Sequence, residues 1–415
     1  MPQTLAGPLA RLRRLAGNPK HSGQPQTAGI MQRKVSADDC GGKTPSRRLQ
    51  RFEAVLSKES VDKQALADLT WKGVPEGVSR CEVWQQLLGY RPLTSGRRQD
   101  ALQRKRQEYM DLRQSLYFQS AVVRTALETG GLPPGPDVEV ELLKQIRKDL
   151  PRMQLKGGGD ASALVEDQRL QALMERVLFV WALRHPASGY VQGHNDVLLP
   201  LLAVFLADLA GSNSIDGLDA AYLSNLDEER LEVVEADCFW CLSKVLSEKL
   251  DHYTHGQPGV QRMVQRYRDV LRRIDGTLSE HLEQQGVQLL PTVLRWVTCL
   301  MVRELPIACC IRLWDTLIAE STTATAIRTI GPADRNGASA GFEVLFVYFC
   351  TSFTAYFSSK LQSLDFEGLQ FFLQQMPTDA FTETTMDMLL GEAFVLKSLF
   401  QQAPQHFCNN GSDAG

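Results

Sequence analysis

Apolar residues recur at three- and four-residue intervals along most of the chain, a spacing that predicts helices rather than strands. Val260, Met263, Val264, Tyr267, Val270, Leu271 and Ile274 line one face, with Arg262, Gln265, Arg268 and Arg272 off it. Leu231, Val234, Cys238, Leu242 and Val245 form a second face. Leu170, Leu173, Val177, Leu178 and Trp181 form a third, which must close before Pro186. The pattern opens at Leu49, Phe52, Val55 and Leu56. Residues 197–207 are apolar on every side between Asp196 and Asp208, and predict a helix buried all round. This run, which contains Pro200, is far shorter than the roughly 20 residues that span a bilayer. No segment alternates strictly, no period of solenoid type repeats, and Asn336-Gly337 reads as loop rather than hairpin. The expected fold is all-α and multi-helical.

Two segments interrupt the helical spacing. Gly157-Gly158-Gly159-Asp160 predicts a flexible loop, and the Thr-, Ala- and Gly-rich stretch 321–341 predicts a mobile loop insertion. Residues 1–48 are rich in Gly, Pro, Gln, Ser and basic side chains. They hold too little apolar surface to offset the entropy of ordering, so a disordered basic tail is expected there, and fraying at 405–415.

Composition excludes little: 43% hydrophobic and 22% charged residues in 415 describe an ordinary globular chain with a sizeable core. Charge says more once it is divided. Residues 1–50 hold nine Lys/Arg, among them Arg11, Arg13, Arg14, Arg47 and Arg48, against Asp38 and Asp39. The rest of a chain with net charge −3 is therefore clearly acidic. A basic tail can attract nucleic acid or anionic lipid, but without interleaved aromatics a solvated tail is the simpler reading. The Arg-rich start lacks the length of a mitochondrial presequence, and no apolar secretory core follows it. Nine cysteines without framework spacing fit a reducing, cytoplasmic setting.

Several motifs fail on context. Gly337-Ala338-Ser339-Ala340-Gly341 matches a nucleophile elbow but lacks the strand such a turn requires. Cys238-x-x-Cys241 lies in a helical run with no second pair to complete a zinc site, and Cys309-Cys310 reads as core. The histidines form no H-E-x-x-H set, and without a P-loop the chain is not expected to hold a nucleotide by itself. What remains is polar. Ile146-Arg147-Lys148-Asp149-Leu150-Pro151-Arg152 ends a helix and leaves Arg152 just beyond it. Ser188-Gly189-Tyr190-Val191-Gln192-Gly193-His194-Asn195-Asp196 crosses between two helices with two glycines that permit unusual backbone angles. Taken alone, Arg152 is better read as a surface ion-pair residue.

Together these residues resemble a known pattern. Ile146-x-x-Asp149-x-x-Arg152 followed by Tyr190-x-Gln192-Gly193 is similar to the paired motifs of TBC-domain Rab GTPase-activating proteins. Gly73-Val74-Pro75, with Arg80, Val83, Trp84 and Leu87-Leu88-Gly89, looks like that family's opening block. Blocks at 182–193, 235–241, 303–306 and 311–316 are similar to the TBC domain family member 22 subgroup. The likeness divides the chain into a tail (1–48), a helical lead-in (49–66) and a TBC domain (67–404).

The resemblance implies a helical domain that grips a GTP-loaded Rab-family GTPase and inserts two side chains. Arg152 is then the arginine finger that neutralises charge on the phosphoryl oxygens, and Gln192 orients the attacking water. A planar guanidinium can bridge two oxygens, and a neutral amide can accept from water while donating to phosphate. Asp149 is expected to hold the Arg152 guanidinium, with Tyr190 and Gly193 fixing the glutamine loop. Arg80, Trp84, Trp314 and Asp315 are expected to be scaffold. GTP and Mg²⁺ belong to the partner, and no cofactor or metal of the chain's own is expected. The same resemblance implies vesicle traffic at the Golgi, with cytoplasmic or peripheral membrane placement, Golgi adaptor proteins as further partners, and neither nucleic acid nor a transmembrane segment. Three departures stand out. His194 replaces an apolar residue and could bring a pH response. The Asn-Pro expected after Arg152 is missing, which could loosen the finger. The 321–341 insertion is long. The alternative reading is a TBC scaffold that binds a Rab or adaptor without accelerating hydrolysis; a helical interaction protein with a coincidental motif is a more distant one.

Overall fold

The computed structural model describes residues 46–401 except 136, 158, 248–249, 254–256 and 331–340. The tail expected to be disordered over 1–48 lies outside the described residues only as far as 45. Over 46–48 the expectation fails, because Ser46 caps a helix that starts at Arg47. Residues 336–340 of the Asn336-Gly337 and nucleophile-elbow matches, and the frayed end, lie outside the described residues. The all-α expectation holds. Among the described residues no strand forms, and pairing is confined to isolated bridges at Ser60–Thr94 and Lys156–Pro306.

The helices that frame the site and core include α1 (Arg47–Leu56), α2 (Lys63–Thr70), α3 (Arg80–Leu87), α4 (Arg98–Leu112) and α5 (Val138–Asp149). They continue with α6 (Gln168–Arg184), α7 (His194–Leu209), α8 (Glu228–Ser247), α9 (Pro258–Ile274), α10 (Leu289–Thr298), α11 (Ile307–Ile330), α12 (Gly341–Tyr356) and α13 (Glu383–Gln401). Their starts follow from capping chemistry. Ser46, Asp62, Ser79, Asp137 and Asp167 each accept a hydrogen bond from a first-turn amide of the helix they precede. The three faces read from the sequence are the buried faces of α9, α8 and α6. α6 stops at Arg184, before Pro186.

α7 is the axis of the molecule. Every side chain from His194 to Ala207 is buried, and the helix packs against α3, α6, α8 and α11. Against it, α4, α6 and α8 form one group. C-terminal to it, α9, α11, α12 and α13 form another. Two buried carboxylates of α8 join the first group. Glu235 accepts from Tyr109 Oη at 2.6 Å, Arg176 Nη2 at 2.7 Å and Arg113 Nη1 at 3.3 Å. Asp237 accepts from Tyr90 Oη at 2.6 Å, Gln85 Nε2 at 2.9 Å and Arg106 Nη2 at 2.7 Å. On the other side, buried Asp315 of α11 accepts from Arg80 Nε at 3.2 Å, Trp84 Nε1 at 2.7 Å and the Val74 amide at 2.9 Å. Trp84 and Trp314 stack at 5.9 Å. The four scaffold residues therefore tie α3 to α11.

Two further sequence expectations need correction. The loop insertion placed at 321–341 does not begin at Ser321, because α11 continues to Ile330. Residues 321–330 contain neither Gly nor Pro, and the Thr322 hydroxyl returns to the Ile318 carbonyl at 3.2 Å, so nothing local breaks the helix. The entry to the glycine segment after Arg152 is also held in place at Lys156 and Gly157. Lys156 bridges to Pro306, its Nζ donates to the Met376 carbonyl, and the Gly157 amide donates to Asp379 Oδ1 at 3.3 Å.

Candidate functional site

α5 carries the first half of the site. Val140, Leu143, Ile146 and Asp149 recur every third residue on its buried face, and its ends suit the helix dipole, with Glu139 and Glu141 first and Arg147 and Lys148 last. Pro151 has no amide to continue the hydrogen-bond ladder, and the chain closes in a 3₁₀ turn over Leu150–Arg152. Arg152 stands exposed at the end of that turn, and among the described residues no side chain pairs with it.

The second half lies between α6 and α7. Ser188 and Gly189 turn back on the His185 carbonyl, at 3.1 and 2.8 Å. Gly193 then caps α7 with φ +113°, a backbone angle suited to glycine. A Cβ there would lie 3.2 Å from the Thr298 carbonyl oxygen and 3.3 Å from Cys299 Sγ, so the loop rests directly on the turn that follows α10. Gln192, one residue earlier, is exposed.

A buried polar chain joins the halves. The Tyr190 hydroxyl donates to Asp149 Oδ2 at 3.0 Å and lies 3.2 Å from Asn195 Oδ1. Asn195 Oδ1 also accepts the Gly193 amide at 3.1 Å, and Gln145 Nε2 donates to Asp149 Oδ2 at 2.9 Å. Burial, and then the Asp149 charge, hold the Tyr190 phenol well above its ordinary pKa, so it stays a donor. Asp149 does not hold the Arg152 guanidinium, contrary to expectation. Its carboxylate is buried and taken by Tyr190 and Gln145, whereas Arg152 lies outside on the turn. Asp149 acts on the glutamine loop through Tyr190.

His194 is fully buried, with the rings of Trp181, Tyr190 and Tyr253 around it and its Nδ1 accepting the Val191 amide at 3.3 Å. Burial, followed by the neighbouring His185, lowers its pKa to about 3, so it carries no charge near neutrality. Asp196, on the same first turn of α7, is raised by burial against the opposing pull of Arg303, whose Nε lies 2.9 Å from Oδ2. The sequence reading gave Asn195, Asp196, Gln145 and Arg303 no role in the site. Asn195 and Asp196 had a signal: two polar residues open a run apolar on every side, where each needs a buried partner. Arg303 opens the 303–306 block without a role attached to it, and Gln145 had no signal.

The arrangement thus presents one uncommitted guanidinium and one uncommitted amide from two helix ends that a common buried network holds in place. Comparison with known proteins gives the family. The Rab-GTPase-TBC domain profile matches residues 78–331. The chain is 36% identical over 382 residues to the GTPase-activating protein gyp1 of Schizosaccharomyces pombe, covering 92% of this chain and 67% of that protein. It is 33% identical over 403 residues to TBC1 domain family member 22A of Homo sapiens, covering 97% and 69%. Among solved structures, the Ypt/Rab-GAP domain of Gyp1p superposes with a TM-score of 0.71 at 31% identity, over 85% of this chain and 98% of that one. The chain spans about two thirds of the length of these full-length relatives. This chain belongs to the Rab-GTPase-TBC domain family.

Proposed function

We propose that the chain accelerates GTP hydrolysis by a Rab-family GTPase, with Arg152 supplying positive charge to the transferring phosphoryl group and Gln192 orienting the attacking water. The observation that carries this reading is the coupling of two exposed, unpaired side chains through the buried Asp149–Tyr190–Asn195–Gly193 chain. Both side chains are free to enter a partner's nucleotide site, and their bases are held still, which is what charge stabilisation and water positioning demand. GTP and Mg²⁺ reside in the GTPase. Residues 67–404 form the proposed TBC domain. Likeness to the member 22 subgroup supports a place in vesicle traffic at the Golgi, with attachment through adaptor proteins, since no described helix is long and apolar enough to cross a membrane.

The test is phosphate release from a panel of GTP-loaded Rabs, using the full chain and its Arg152→Ala and Gln192→Ala variants. One or a few Rabs should be accelerated, and removing the arginine should reduce the effect by about 10³- to 10⁵-fold. A chain that binds a GTP-loaded Rab yet accelerates none would establish the silent scaffold instead.

A further inference from the structure

We propose that Arg303 is a positioning residue for the glutamine loop: anchored on buried Asp196, it fixes the first turn of α7 and, through it, Gln192. This rests on the reading of Gln192 given above.

The turn that carries Arg303 is unusual in its backbone. Leu300 and Met301 are non-glycine residues at φ +47° and +67°. Such conformations persist where the surroundings over-determine them, and they concentrate at functional sites. Here the Met301 amide donates to the Trp296 carbonyl at 3.2 Å, and Trp314 Nε1 donates to the Leu300 carbonyl at 3.3 Å. Tyr253 Oη donates to the Thr298 carbonyl at 3.2 Å. The strained turn meets the glutamine loop at several points. Thr298 O and Cys299 Sγ fill the space a side chain would need at Gly193. Cys299 Sγ lies 3.4 Å, and Arg303 Nε 2.9 Å, from Asp196 Oδ2.

Asp196 sits four residues after Gln192, and its side chain is 3% exposed. The charged groups around it are Arg303, which attracts, and Asp149, which repels. Arg303 feels both carboxylates. It is therefore the cation that balances two acids buried beneath the proposed fingers, one under each half of the site. Without it, the Asp196 carboxylate would be left buried and unpaired, and the first turn of α7 would move to reach water or another donor. Gln192 would move with it. Arg303 stays one third exposed, and among the described residues its two terminal nitrogens have no hydrogen-bond partner.

The experiment uses the full chain with a Rab that the wild type accelerates. Single-turnover hydrolysis against chain concentration separates the maximal rate from affinity, and a nonhydrolysable GTP analogue gives binding directly. Arg303→Ala should lower the maximal rate by about 10- to 100-fold while affinity changes by no more than about threefold. Arg303→Lys should recover part of the rate, since it returns a charge to Asp196 without the planar fork. Adding Asp196→Asn to Arg303→Ala should also recover rate, because a neutral amide no longer needs a cation. These two variants carry the test if Arg303→Ala fails to fold. An unchanged rate in Arg303→Ala, an affinity loss that matches the rate loss, or no recovery in the lysine and double variants would overturn the inference. A wild-type chain that accelerates no Rab would overturn the finger reading and this inference with it.

Discussion

At the scale of single residues, His194 shows how burial decides what a titratable group can do. It sits two positions after Gln192, and its sequence invites a pH-sensitive loop. The structure encloses it in aromatic rings, where protonation is disfavoured down to a pKa of about 3. The sign follows from linkage. The unfolded imidazole binds a proton from about pH 6.5 downward, and the folded one does not until about pH 3. Its contribution to stability is therefore intact above pH 6.5 and lost as the pH falls between those values, by up to about 1.4 kcal/mol per pH unit. Unfolding curves of the wild type and His194→Met from pH 7.5 to 4.5 should show a steeper acid loss in the wild type. Parallel slopes would mean that His194 gains a proton in the fold as readily as out of it. Asp149 makes the same point for carboxylates: sequence spacing brings it within a turn of Arg152, but burial turns it inward to Tyr190.

At the scale of elements, the site is made of helix ends. α5 ends because Pro151 cannot continue it, and α7 begins because Gly193 can adopt the left-handed angle its cap requires. That glycine also lets the loop rest on the turn after α10. Gly193→Ala adds strain and a 3.2 Å approach to the Thr298 carbonyl, and should cost about 1 to 3 kcal/mol in chemical denaturation. It should also lower Rab-stimulated hydrolysis more than it lowers Rab binding, because Gln192 is displaced while the rest of the surface is kept. Equal losses in both assays would assign Gly193 to general folding. Residues 321–330 behave in the opposite way. Their Thr- and Ala-rich composition resembles a loop, yet with no Gly or Pro to stop it the helix runs on to Ile330.

At the scale of the whole molecule, α7 and the buried ion pairs of α8 hold the two halves of the site against one another. Glu235 is fully buried, with Tyr109, Arg113 and Arg176 converging on it from α4, the turn after it, and α6. Removing it as Glu235→Ala leaves Arg176 half-buried without its acid, and should cost about 3 to 5 kcal/mol, read as a lower urea midpoint. A loss below 1 kcal/mol would show that the arginines find water instead. How much of this was legible follows from the range of each interaction. Helical periodicity, caps and proline stops are local, so the sequence by itself determined the all-α class, the faces of α6, α8 and α9, and the buried run of α7. The resemblance of its motifs to a known family singled out Arg152, Asp149, Tyr190, Gln192 and Gly193. Partners far apart in the chain are not local. That Asp149 serves Tyr190 across 41 residues, that Asp196 meets Arg303 across 107, and that Gly193 rests on Thr298 was decided only when α7 packed between the two helix groups. Burial there set which polar group each carboxylate had to find, and no spacing along the chain carries that information.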